Sequence, residues 1–191
     1  MTAAHICLVI DRSGSMQSTK TDAQGGLDSF ISEFAGRDDV TVALVEFDDT
    51  VQMAVEPVLA AAWPGYTLTP RGSTALLDAM GFALKRTKKH VKANPAEKVV
   101  VVVITDGGEN SSKKFSLATV TELVDGAKAD GWEFLFLASD LSAIRTGTAS
   151  GMATRSYASS ATADTYSTLT RSVSSYVAGA TSSVEWEDAV K

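Results

Sequence analysis

The sequence predicts an α/β fold: an open, mostly parallel sheet with one antiparallel edge strand and helices on both faces. Three observations carry this. Apolar runs of strand length alternate with helical patterns along the chain, the order that builds parallel sheets through right-handed crossovers. Two of those runs, residues 5–10 (HICLVI) and 98–105 (KVVVVVIT), show almost no polar alternation, as expected of strands covered on both faces. Asp48-Asp49 lies between two further strand-like runs, so residues 40–47 and 51–58 read as a hairpin whose second strand is an edge.

Each element has its own local signal. After the first strand ends at Asp11, Leu27, Phe30, Ile31 and Phe34 recur at i, i+3, i+4, i+7, a helical face closed by Gly36 and Asp38-Asp39. Residues 59–73 form a loop punctuated by Pro64, Gly65, Pro70 and Gly72. A second helix starts near Thr74, with Leu77, Met80 and Leu84 on one face. Its basic far end, from Lys85 to Lys92, complements the helix dipole. The β-branched run 98–105 is the central strand. Ser116 caps a third helix with Leu117, Val120, Leu123, Val124 and Ala127 inward; Gly131 stops it, and residues 132–138 form the next strand. Asp140 then reads as a cap, the rim of a site being its other reading.

The last quarter changes character. From Ser142 to Ser183, 19 of 42 residues are Ser or Thr, so a disordered tail has to be weighed there. Against that, Leu169, Val173, Tyr176 and Val177 share a helical face that Tyr166 extends. The expectation is a short strand near 155–158, a docked helix over 162–178 and a frayed end over 181–191, making residues 1–180 a single domain.

Composition excludes several function classes. Of 191 residues, 17 are basic and 23 acidic, and the resulting net charge of −6 argues against nucleic-acid binding, which needs a basic face. Cys7 is the sole cysteine, expected to be buried and inert, so no internal disulfide or zinc framework follows. His5 and His90 are the two histidines, and they leave little room for histidine catalysis: His5 starts the first strand, at the wrong end of the sheet, and His90 is expected to follow a helix. The longest aliphatic run, residues 99–104, is too short to cross a bilayer, and no signal peptide is visible, so the expected location is cytoplasmic.

Three oxygen-rich loops carry the candidate chemistry. Asp11, Ser13 and Ser15 form Asp-x-Ser-x-Ser directly after the first strand; Thr74 precedes the second helix; Asp106 directly follows the central strand. In open α/β sheets ligands gather at the carboxyl ends of strands where strand order reverses. Neighbouring first and fourth strands would bring Asp11 and Asp106 within a few ångströms. Two carboxylates and three hydroxyls are hard-oxygen donors, which select Mg²⁺, Mn²⁺ or Ca²⁺ over zinc or copper. Gly14 keeps a side chain from crowding such an ion. Taken alone, Asp-x-Ser-x-Ser also suits an ordinary turn; the three loops together favour the metal reading.

DRSGSM (11–16), GST (72–74) and TDGGEN (105–110) resemble the metal-ion-dependent adhesion site of von Willebrand factor type A domains. Gly72 and Thr74 fit the family's Gly-x-Thr, and Thr105, Asp106, Gly107 and Asn110 its Thr-Asp-Gly-x-x-Asn. The strand spacing and the Ser/Thr/Ala-rich end are similar to the small stand-alone members of bacteria and phages. The resemblance implies a six-stranded sheet, direct ligation by Ser13, Ser15 and Thr74, and action of Asp11 and Asp106 through bound water. It also implies that a partner protein's Asp or Glu completes the coordination, so the module binds and is not an enzyme.

Trp63, Tyr66 and Arg71, on the loop that carries Thr74, are candidate partner contacts, with packing of the loop as the alternative for Trp63. Other functions allied to the family are an accessory, noncatalytic subunit of an ATPase or of a stress or metal-resistance system, or a phage assembly protein. A phosphohydrolase of the haloacid dehalogenase type would want Asp-x-Asp where Ser13 stands, and no Gly-x-Ser-x-Gly or Gly-x-Gly-x-x-Gly follows a strand. A second cation at Asp48-Asp49 is disfavoured against a solvated hairpin turn. No partner identity or oligomeric state follows from the sequence.

Overall fold

A computed structural model describes residues 4–157 and 162–184. The strands are β1 (Ala4–Asp11), β2 (Val40–Phe47), β3 (Val51–Leu59), β4 (Lys98–Thr105), β5 (Glu133–Ala138) and β6 (Ala153–Ser156). The helices are α1 (Lys20–Phe34), α2 (Leu76–Ala93), α3 (Leu117–Ala129), α4 (Leu141–Ala149) and α5 (Thr162–Val177). One sheet results, ordered β3-β2-β1-β4-β5-β6, parallel throughout except for the antiparallel β2–β3 hairpin. The open mostly parallel sheet with an antiparallel edge is therefore as expected, and its order reverses at β1–β4.

Strand parity sorts the core into two layers. Even-numbered β1 residues Ile6, Leu8 and Ile10 face α1 and α5, meeting Leu27, Phe30, Leu169 and Val173. Odd-numbered Cys7 and Val9 face α2, α3 and α4, meeting Met80, Val120 and Ala143. Every residue of β1 is buried, which accounts for its unbroken apolar run.

The Ser/Thr-rich quarter is folded where it is described. The strand expected near 155–158 lies at Ala153–Ser156, and Ala158 falls outside the described residues. Helix α5 ends at Val177, one residue short of the expectation. Its intrinsic propensity is modest, so packing holds it: Tyr166 lies so close to Gly26 of α1 that any Cβ there would overlap the ring. Val184 is also buried in the core, while residues 185–191 lie outside the described set. Helix α4 is an element the sequence reading does not foresee. Asp140 caps it by accepting from the amides of Ser142 and Ala143. Its Gly147 presses on Phe136 where a side chain would clash. A helix that depends on a close glycine contact has a weak sequence pattern, because glycine itself disfavours helix.

Two stability predictions follow from this packing. Leu169 is fully buried on α5, so Leu169→Ala should lower unfolding free energy by about 2–5 kcal/mol in urea titrations; no change would mean α5 is not docked. His5 is buried beside Thr41, and desolvation foremost, with the nearby His90, holds its pKa at about 3 instead of 6.5. The unfolded chain therefore takes up a proton at His5 below about pH 6.5 that the folded chain refuses. Stability is full above that pH and falls by up to ~1.4 kcal/mol per pH unit towards the folded value. Asp11, raised to about 6, opposes this slope in the same window, so the measure is the difference between chains: from pH 7.5 to about 5 the urea midpoint of the native chain should fall relative to that of His5→Asn.

Candidate functional site

The predicted site residues lie at the carboxyl end of the sheet, beside the β1–β4 reversal. Pairing of β1 with β4 runs in register to Ile10↔Ile104, so Asp11 and Thr105 follow side by side. Thr105 donates its hydroxyl to Asp11 Oδ2 at 2.5 Å, and Ser13 donates its amide to Asp11 Oδ1 at 2.6 Å. Both Asp11 oxygens are thus held in place beneath the site.

Beyond β1 the chain makes a 3₁₀ turn, Gly14–Ser18. Met16 within it is fully buried and anchors the turn. Ser13 Oγ and Ser15 Oγ sit 3.0 Å apart, and Ser15 donates to Asp106 Oδ1 at 2.5 Å. Thr74 joins from its own loop. A Cβ placed on Gly107 would lie 3.1 Å from Thr74 Oγ1, 3.3 Å from Ser15 Oγ and 3.7 Å from Asp11 Oδ2. Oxygens from two loops therefore converge around the bare Cα of Gly107, which lies on the third.

The Thr74 loop is fastened on both sides. Arg71 donates its amide to the Arg12 carbonyl (2.7 Å) and Gly14 to that of Gly72 (3.1 Å). Gly72 has φ +69°, and a Cβ there would come 2.5 Å from Asp49 Oδ1, so the position requires glycine. Asn110 accepts from the Thr74 amide (2.9 Å) and donates its own amide to the Thr74 carbonyl (3.1 Å). Helix α2 starts after Ala75 with no side-chain cap of its own. The β4–α3 loop meets that need, since Glu109 accepts from Leu77 N and Ser112 Oγ from Asp78 N. Asp78 reciprocates by accepting three amides, from Lys113, Lys114 and Phe115, which together outweigh its burial and lower its pKa.

Glu109 and Asp78 are residues that the sequence reading missed, as are those of a buried ion network beneath the loops. Arg12 donates to Glu46 at 2.8 Å and lies 3.1 Å from Asp48, which Arg71 also reaches at 2.7 Å. The hairpin turn expected at Asp48-Asp49 is present and Asp49 is exposed in it, but Asp48 is fully buried and not solvated. Burial raises its carboxyl, but the Thr50 hydroxyl and amide, Arg71 and Arg12 outweigh it and hold the pKa at about 2. A glutamate inside the apolar string VTVALVEF was the available signal, since a charge in a buried strand needs a partner.

Of the candidate contacts, Tyr66 donates its hydroxyl to Glu46 (2.9 Å) and Trp63 packs half-buried against the core, while the Arg71 side chain is 62% exposed. Asp11 is the most perturbed carboxyl of the site. Burial foremost, with the charge of Asp106 adding, pushes it up to about 6 against the pull of Thr105 and Ser13. Asp106 is raised as well, by burial and then by Asp140. The pair thus favours a cation electrostatically. Among the described residues no group of three or more His, Cys, Asp or Glu could hold a metal ion, so any ion here depends on the hydroxyls.

Asp48→Ala should cost about 3–5 kcal/mol in urea unfolding, because it strips the buried Arg12 of one of two carboxylates. A loss below ~1 kcal/mol would show that the network is dispensable.

The model of the von Willebrand factor type A domain matches residues 6–109. No curated protein matches the sequence. The fold is similar to the vWF domain of the type V pili tip protein Mfa5 from Porphyromonas gingivalis: TM-score 0.66, 11% identity, 99% of this chain and 98% of that one. It is also similar to the PilB minor pilin from Streptococcus sanguinis, with TM-score 0.63, 12% identity and 92% of this chain covered. The chain spans only 62% of that pilin. A von Willebrand factor type A protein from Catenulispora acidiphila gives TM-score 0.64 at 14% identity, over 90% of this chain and 42% of that one.

Proposed function

The chain belongs to the von Willebrand factor type A domain family, and from that premise we propose that it is a protein-binding module that works through one Mg²⁺-class ion. The observation that carries the reading is the convergence of Thr74 Oγ1, Ser15 Oγ and Asp11 Oδ2 around Gly107. Ser13, Ser15 and Thr74 would hold the ion directly, with Asp11 and Asp106 behind them. These donors fit a hard divalent cation: all are oxygen, and the two carboxyls are raised by burial in a way that a positive charge would relieve. When bound, such an ion supplies a Lewis-acidic attachment point for a carboxylate oxygen.

The protein's own residues give that attachment its selectivity. With three neutral hydroxyls as the nearest donors, the site keeps net demand for a further anion, which an Asp or Glu of a partner protein meets. Arg71, exposed on the loop that carries Thr74 and paired with Asp48 at 2.7 Å, is a contact candidate for such a partner. Binding without catalysis is favoured because neither histidine is near: His5 begins β1, at the opposite end of the sheet, and His90 lies in the last turn of α2. The likeness to pilus proteins is one of fold, and the reading rests on the loops.

Titration calorimetry tests it. Mg²⁺ and Mn²⁺ should bind, and at about 100 times the dissociation constant should stabilise the fold by ~2.7 kcal/mol. Asp11→Ala should weaken binding by about ten- to a hundred-fold, the usual loss when a group orienting the ligands is removed. Thr74→Ala should keep measurable affinity, since both carboxylates remain. No heat from either ion at millimolar concentration would overturn the proposal.

A further inference from the structure

A second site lies on the α2 face at the other end of the sheet. Where the last turns of α2 cross β1–β3, the structure encloses a cavity of about 250 Å³. Cys7, Ala43, Met53 and Pro57 line its apolar wall, and both histidines of the chain lie on it. The His5 and His90 rings stand 4.5 Å apart and tilted by 35°. Sequence reading gives no hint of this meeting, because the residues are 85 positions apart.

The polarity of the cavity is specific. Thr41 Oγ1 lies 3.4 Å from the Ala4 carbonyl, to which only its hydroxyl can donate. His5 Nδ1 is 2.9 Å from the same Thr41 oxygen and pairs with it, either atom serving as the donor. His5 Nε2, on the other side of the ring, is buried without a partner. Burial also keeps the ring neutral near pH 7. Thr87 Oγ1 on α2 is likewise buried and unpartnered. At the mouth, Arg86 and Lys89 outnumber Glu56, which Arg86 already pairs at 2.7 Å. The inner end thus holds two polar atoms in want of a partner and the outer end has one cation in excess.

We propose that this cavity binds a small single-ring molecule with a hydroxyl, able to donate or accept, at its buried end and one negative charge at its mouth. Size supports a single ring, since a cavity of about 150 Å³ is enough for benzene. Metal binding is a poorer fit, because among the described residues no group of three such ligands is placed to hold an ion. A buried polar atom that goes unpaired when the wrong ligand binds is what gives such a site its discrimination.

The test uses the full chain and three probes: 4-hydroxybenzoate, benzoate, which lacks the hydroxyl, and phenol, which lacks the charge. In ¹H–¹⁵N spectra, 4-hydroxybenzoate should shift the amides of Cys7 and Thr87 with a dissociation constant of about 1 mM or below, a value in keeping with its size. Benzoate and phenol should each bind about tenfold more weakly, and His5→Phe should bring 4-hydroxybenzoate down to the level of benzoate. Ala43→Leu, which fills the cavity from β2, should abolish binding and stands in if His5→Phe fails to fold. Absence of shifts up to about 10 mM overturns the proposal. So does equal binding of benzoate, or binding that survives Ala43→Leu.

Discussion

The parallel pairing of β1 with β4 is the constraint on which the upper end of the molecule depends. It makes the two most apolar strands neighbours at the point where sheet order reverses, and it runs in register to Ile10↔Ile104. Asp11 and Thr105 come next, side by side, and bond at 2.5 Å. A slip of one residue would turn Asp11 to the other face and carry it away from Thr105. Because both strands are buried on both faces, such a slip is heavily penalised, and the position of the Asp11 carboxylate is inherited from the core.

Above that pairing, the loops hold each other. The first loop bonds backbone to backbone with the loop carrying Thr74, and that loop is gripped from the opposite side by Asn110 and Glu109. Charge is balanced in two different ways at adjacent positions. Beneath the loops, Glu46 and Asp48 have Arg12, and Asp48 stays well ionised. One residue before Arg12, Asp11 has hydroxyl and amide donors and another carboxylate as its electrostatic neighbour, and its pKa rises to about 6. A charge-paired ion network next to an under-compensated acidic pair is the asymmetry expected of a rigid support beneath a place that receives a cation.

Much of the fold was legible because its signals are local. The runs 40–47 and 98–105 are strands from end to end, since continuous β-branched sequence suits little else. Asp11, Ser13, Ser15, Thr74 and Asp106 were legible as a group because each sits where an element starts or stops, and topology then gathers such positions. What escaped depends on tertiary context. Helix α4 is held by a Gly147–Phe136 contact that leaves no periodic trace. Asp48 looks like a turn residue until Arg12 and Arg71 close on it. Asp78 and Glu109 act as caps, yet each caps a segment more than 30 residues away. His5 and His90 meet only because α2 crosses the sheet.

The central claim is that one divalent ion is held where the three loops converge. Paramagnetic broadening by Mn²⁺ tests this directly, because it falls off steeply with distance from the ion. In ¹H–¹⁵N spectra of the full chain, substoichiometric Mn²⁺ should bleach the amides of Ser13, Ser15, Thr74 and Gly107 first. Excess Mg²⁺ should restore them, and the amides of Cys7 and Thr87 at the far end of the sheet should stay sharp throughout. Broadening centred elsewhere, or none at those four residues, would contradict the account.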